Sequence, residues 1–224
     1  MRTTRFAVIP GGLFSFPRAQ YARSRERLLA TASQHTGRTY DRPRDALQDI
    51  IRLHGWQMAR RPLPGRDWGQ LDPSSKTVWV CLRIREKMDF PQSENEAIAF
   101  TMAHELAHLR LHLPTILAGR MAPAHEKEAD AWAGVFLLPE NQLRARPEFQ
   151  SLDPSWPSDR IWEQAGALGK HFGVSASATV RELQALGAVE RLSGTRTLRV
   201  RPAFDSGSGS GCSYDLSRFG SVDR

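Results

Sequence analysis

Residues 104–108 read His-Glu-Leu-Ala-His and fall inside a long helical pattern. Histidines four apart on a helix lie on one face about 6 Å from each other. Two imidazoles can therefore converge on one ion while the glutamate between them reaches the same cavity. The helix is expected over residues 94–113: Ser93 followed by Glu96 is a capping pair that opens it, and Pro114 is its expected stop. Neutral imidazole suits zinc, and three protein ligands leave a fourth position for water. Zinc lowers the pKa of that water towards 7, and Glu105 can take its proton. The arrangement is a hydrolytic one.

Two histidines do not complete a zinc site. His112 lies on the same stripe, but eight residues of helix span about 12 Å, too far for His104 and His112 to share an ion without a break in the helix. It is read as a packing or hydrogen-bonding residue. The better third ligand lies in the next helix, expected over residues 124–138. There Glu126 and Asp130 are four apart and share a face, while Glu128 is turned away from both. Glu126 can bind the metal, and Asp130 can accept a hydrogen bond from a ligand imidazole. His125 is a rival ligand. Ala129, Trp132, Ala133 and Phe136 form the buried stripe of the same helix.

The rest of the chain reads as a soluble α+β protein. Its 224 residues include no apolar run long enough to cross a bilayer, and Pro10, Gly11 and Gly12 break the early apolar patch, so no secretory signal is expected. Cys81 and Cys212 make neither a plausible bridge nor a metal-binding spacing, which fits a reducing, cytoplasmic setting. Residues 1–66 hold 13 Arg against four acids, +9 against about −2 for the remainder, but only four of the chain's 31 basic residues are lysine and the arginine enrichment runs throughout. A solvated face is the preferred reading of that charge. Helices are expected over residues 18–35, with Leu28, Leu29 and Ala32 buried, and over 43–55. Extended segments are expected at 56–60 and, most clearly, 77–84, with a long loop between them. Residues 147–157 read as a linker. Two short helices, 161–172 and 175–186, and two strands, 189–192 and 197–201, follow in the order of a winged helix-turn-helix. Residues 205–224 read as a disordered tail.

The stretch from Phe100 to His112, followed by Glu126-Lys-Glu-Ala-Asp-Ala-Trp-Ala-Gly-Val-Phe-Leu-Leu-Pro139, resembles the ImmA/IrrE family of bacterial metallopeptidases. The resemblance covers residues 45–146. It implies a small zincin-like, gluzincin-type peptidase domain with His104 and His108 as histidine ligands, Glu105 as general base and Glu126 as acidic ligand. It also implies a DNA-binding transcriptional repressor as protein substrate, whose cleavage releases mobile-element, phage or stress-response genes. Trp132 stands where phenylalanine is usual and Leu138 where methionine is common; both are apolar exchanges. The segment after Arg146 is too short for a helix-turn-helix plus the sensor domain of radiation-response members, so ligand sensing is not expected.

These readings divide the chain into a basic N-terminal extension (1–40), the H-E-x-x-H metallopeptidase domain (41–146), a helix-turn-helix-like module (158–204) and the tail. Residues 159–190 carry about −1, which favours a structural or partner-docking role for the module over DNA binding. The competing reading is a DNA-binding or repressor-sequestering regulator whose metal site is structural.

Overall fold

A computed structural model describes residues 17–202, except 66, 83–93, 193–194 and 196. Helix α1 (Arg18–Thr36) ends at Gly37, whose left-handed backbone (φ 68°) lets its N–H bond the Ser33 carbonyl. A 3₁₀ turn, Pro43–Ala46, leads into α2 (Leu47–Leu53). Strands β1 (Gln57–Arg61), β2 (Gly69–Asp72) and β3 (Thr77–Cys81) make a small mixed sheet. β3 is central, parallel to β1 from Gln57↔Thr77 to Arg61↔Cys81 and antiparallel to β2 from Gly69↔Val80 to Asp72↔Thr77. β2 lies within the segment expected to be a loop; four residues bounded by turns and opening on a glycine leave too little alternation to read as a strand.

Helix α3 (Glu94–Ala107) packs on β2 and β3, and α5 (Pro123–Leu137) packs on α3. The expected stop at Pro114 is not where the helix ends. Residues His108–His112 form a wider, π-type turn, and α4 (Leu113–Leu117) continues beyond it with the proline in its first turn. A proline inside a regular helix clashes with the carbonyl four residues back and lacks an N–H. Widening the preceding turn and resetting His112 (φ −120°, ψ 0°) starts a new first turn, where proline is tolerated.

After α5 come the short helices α6 (Glu140–Arg144) and α7 (Pro147–Gln150), then α8 (Ser158–Phe172), α9 (Ala176–Ala185) and an antiparallel pair, β4 (Val189–Arg191) and β5 (Leu198–Val200). This order matches the sequence reading, but the segment read as a linker holds Phe149, which is buried in the core. α9 packs on α5, α1 packs on α5 and α2, and one apolar cluster runs from Tyr21 to Val200. Arg18 of α1 pairs with buried Glu182 of α9, and Arg25 donates to the Val135 carbonyl of α5 at 3.2 Å. Gly134 gives Glu182 its room: a Cβ there would lie 2.9 Å from Glu182 Oε2. Cys81 is buried. Residues 1–16, Ser93, the end of the 77–84 segment and the tail with Cys212 lie outside the described residues.

Candidate metal centre

Four of the fourteen residues of α3 are alanine (Ala97, Ala99, Ala103, Ala107), the strongest helix former, and all four are buried, which brings its backbone close to its neighbours. His104 and His108 point from this helix and its π turn towards the first turn of α5. Their Nε2 atoms are 2.9 Å apart. Glu126 reaches both: its Oε2 lies 3.2 Å from His104 Nε2 and its Oε1 3.4 Å from His108 Nε2. Donors in a tetrahedral zinc site with bonds of about 2.0–2.1 Å stand about 3.3 Å apart, so the spacing fits such an ion. The Glu126 side chain is 57% exposed, so the cluster is open to solvent on that side.

The tautomers strengthen that fit. His104 Nδ1 lies 2.8 Å from Asp130 Oδ1 and donates to it. His108 Nδ1 lies 2.9 Å from His112 Nδ1. With the outer nitrogens so engaged, two Nε2 lone pairs and a carboxylate face one another, an arrangement that requires a cation. Without a metal the cation is a proton on His104. Burial opposes its charge, but hydrogen bonds to Asp130 and Glu126 outweigh that and lift its pKa to about 10. The same histidines hold Glu126 well below the usual carboxylate range.

Glu105 is buried on the neighbouring face of α3. Burial pushes its carboxyl up to about 7, partly offset by His104 and His108 and reinforced by Glu126 and Asp67. A base with a pKa near 7 is well matched to proton transfer at neutral pH. β2 crosses directly over it. A Cβ on Gly69 would fall 2.5 Å from Glu105 Oε1 and 2.6 Å from Thr101 Cγ2, so only glycine allows this approach.

His104, His108 and Glu126 come together at this centre with Glu105 in electrostatic reach, while His125 does not offer a ligand to it. His125 Nδ1 accepts from the Ala122 N–H at 3.0 Å, and its ring sits 4.8 Å from that of His112. His112 is a buried hydrogen-bonding residue as expected; its Nε2 lies 3.2 Å from Glu128 Oε2. Glu128 also accepts from the Tyr21 hydroxyl at 2.7 Å. Burial tends to raise the Glu128 pKa, but the bonds from Tyr21 and His112 outweigh it and keep the carboxylate ionised; burial and Glu128 together push the Tyr21 phenol up. Glu128, Tyr21 and Gly69 are the residues sequence reasoning missed. Arg181 of α9 also approaches, 3.9 Å from Asp130 Oδ2. The shared stripe of His104, His108 and His112 was the one available hint of the Glu128 contact, and nothing in sequence ties Tyr21 to it.

A helix bearing H-E-x-x-H, an acid from the following helix and a small sheet across the first helix are the parts of a metallopeptidase-like domain. Residues 92–184 match the IrrE N-terminal-like domain, Peptidase_M78, which supports the likeness to the ImmA/IrrE family. The match runs through α8 and most of α9 and leaves out α1, α2 and the sheet. Among solved structures, a Mycobacterium tuberculosis transcriptional regulator is similar in fold, with a TM-score of 0.50 at 19% identity over 74% of this chain and 46% of that one. The chain thus spans less than half of that neighbour's length. No curated protein matches it.

Proposed function

We propose that this protein is a zinc-dependent endopeptidase that cleaves a DNA-binding repressor in the bacterial cytoplasm and so relieves repression. The observation that carries this reading is the convergence of His104, His108 and Glu126 beside a buried carboxyl with a pKa near 7. When bound, zinc would polarise the peptide carbonyl and acidify the attacking water. Glu105 would take a proton from the attacking water and deliver it to the peptide nitrogen as the C–N bond breaks. Gly69 keeps the strand above from displacing the Glu105 carboxylate. Among the described residues no helix is long and apolar enough to cross a membrane, which is compatible with this setting.

The β4–β5 pair supports partner docking over DNA binding by the C-terminal elements. Arg199 and Arg201 both pair with Glu190, whose single charge offsets one of the two cations that a phosphate backbone would need. The alternative is a DNA-binding or sequestering regulator with a structural metal, and it draws on the transcriptional regulator of similar fold.

The test is incubation of the purified full chain with the repressor encoded beside it. Wild-type protein with zinc is expected to release a discrete fragment. Chelation is expected to abolish it, and Glu105→Gln is expected to lose cleavage by at least about 10³-fold with metal content unchanged. Cleavage surviving in Glu105→Gln, or wild-type protein that takes up no zinc, would overturn the reading.

A further inference from the structure

We propose that His112, Glu128 and Tyr21 are positioning residues: a one-way hydrogen-bond relay that holds His108 as its Nδ1–H tautomer, with the Nε2 lone pair presented to a metal. The inference rests on the metal-site reading above.

An imidazole that binds metal through Nε2 must carry its proton on Nδ1, and the group bonded there decides whether it does. His108 Nδ1 faces His112 Nδ1 at 2.9 Å, so only one of the two carries a hydrogen. By itself that contact is ambiguous, and the far end of the chain resolves it. An ionised carboxylate only accepts, so the Glu128 oxygen 3.2 Å away requires the hydrogen of His112 to sit on Nε2. A neutral His112, which its burial at 4% exposure favours, then offers a bare Nδ1 and accepts from His108. Tyr21 donates to the other Glu128 oxygen. Every donor along the line meets an acceptor, and all the bonds on the histidine side run outward from His108.

The relay draws on three separate elements: the π turn, α5 and α1. Tyr21 lies outside residues 92–184, so this support reaches beyond the segment matching the family domain.

Glu128→Gln separates this role from ordinary packing because it keeps the shape and changes the donor. Tyr21 donates to Glu128 Oε1, and where it keeps that role towards the amide oxygen the amide nitrogen faces His112 Nε2 and makes it an acceptor; the spectrum of the variant shows which way the amide has turned. The His112 proton then moves to Nδ1, and His108 is driven to the Nε2–H form, which cannot bind metal. Long-range ¹H–¹⁵N spectra of the zinc-free full chain should show His108 as Nδ1–H in wild type and Nε2–H in Glu128→Gln. Zinc affinity, measured by competition with a chromophoric chelator, should fall about 10–100-fold. Tyr21→Phe alone should cost about twofold or less. Adding Tyr21→Phe to Glu128→Gln frees the amide to turn its oxygen towards His112, and most of the lost affinity should return. A purely structural contact predicts additive losses instead.

An Nε2–H His108 in the wild type, an Nε2–H His108 in Glu128→Gln with zinc affinity within twofold of wild type, or a double variant weaker than Glu128→Gln overturns the relay. Should Glu128→Gln fail to fold, the wild-type spectrum decides. A wild type that shows the Nδ1–H tautomer but takes up no zinc would sink the peptidase reading and leave the relay geometry standing.

Discussion

His104 and His108 stand one helical turn apart and face the same acid, yet their surroundings differ. His104 leans on a single carboxylate, Asp130, which is 46% exposed and has Arg181 nearby. The outer nitrogen of His108 meets buried His112, and through it Glu128 and a tyrosine from α1. One ring is supported at the water's edge, where solvent can substitute for a lost partner. The other is supported from the core, where a lost partner leaves a buried polar group unsatisfied, at a cost of about 1–3 kcal/mol. A site built this way is anchored at its His108 end and adjustable at its His104 end.

The largest effect should come from removing the acid that both rings share. Glu126→Ala leaves each ring's outer support intact and should weaken zinc binding by about 100-fold or more, on the reasoning that a full site contributes about 10–16 kcal/mol divided among its ligands. Chelator competition measures it, and an unchanged affinity would mean that the rings alone hold the ion.

Gly69→Ala probes the opposite wall of the site. A methyl group 2.5 Å from Glu105 Oε1 should destabilise the fold by about 1–3 kcal/mol in urea titrations and displace Glu105. Zinc content should stay at the wild-type level, because the clash is with Glu105 and Thr101 and not with either ring.

The pH dependence tests the His104 end. With its pKa raised to about 10 against about 6.5 when unfolded, His104 adds stability to the metal-free protein that is fully present below about pH 6.5. That contribution is lost as pH rises through about 10. Zinc must displace the same proton, so apparent affinity should rise by up to tenfold per unit between pH 6 and 8. Calorimetry in buffers of different ionisation enthalpy should detect close to one proton released; none released would place the proton elsewhere.

Asp130→Asn should have a smaller effect on zinc binding than loss of Glu126, about tenfold in affinity, at the lower end for an outer partner because water replaces the carboxylate. It should also flatten the pH dependence by weakening the hold on the His104 proton. A loss exceeding that of Glu128→Gln would reverse the ranking of the two supports.

The parts of this centre that follow helical periodicity were legible in sequence. Four-residue spacing brings His104 beside His108 and puts Glu126 and Asp130 on one face, and both pairs meet as expected. Glu128 was correctly read as turned away from Glu126. What it turns towards depends on how α5 packs against the π turn, and local spacing carries no such information. Tyr21 lies more than a hundred residues from its partner, and only tertiary packing brings α1 there. Pro114 misled because a stop rule assumes a regular helix before the proline. β2 was hidden because Gly69 reads as a strand breaker, although the glycine is required by Glu105 beneath it. Phe149 was passed over because proline on both sides of it suggested a spacer.

The widened turn at His108–His112 has a consequence for chain length as well as for residue identity. Such a turn accommodates a surplus residue relative to ordinary helical winding. Shortening the stretch by one position would let it rewind, swing everything beyond by about 100° and carry His112 off its present bearing. The count of residues between the second imidazole and the proline is therefore as constrained as their chemistry, and related chains that preserve this architecture should tolerate exchanges there far better than gaps.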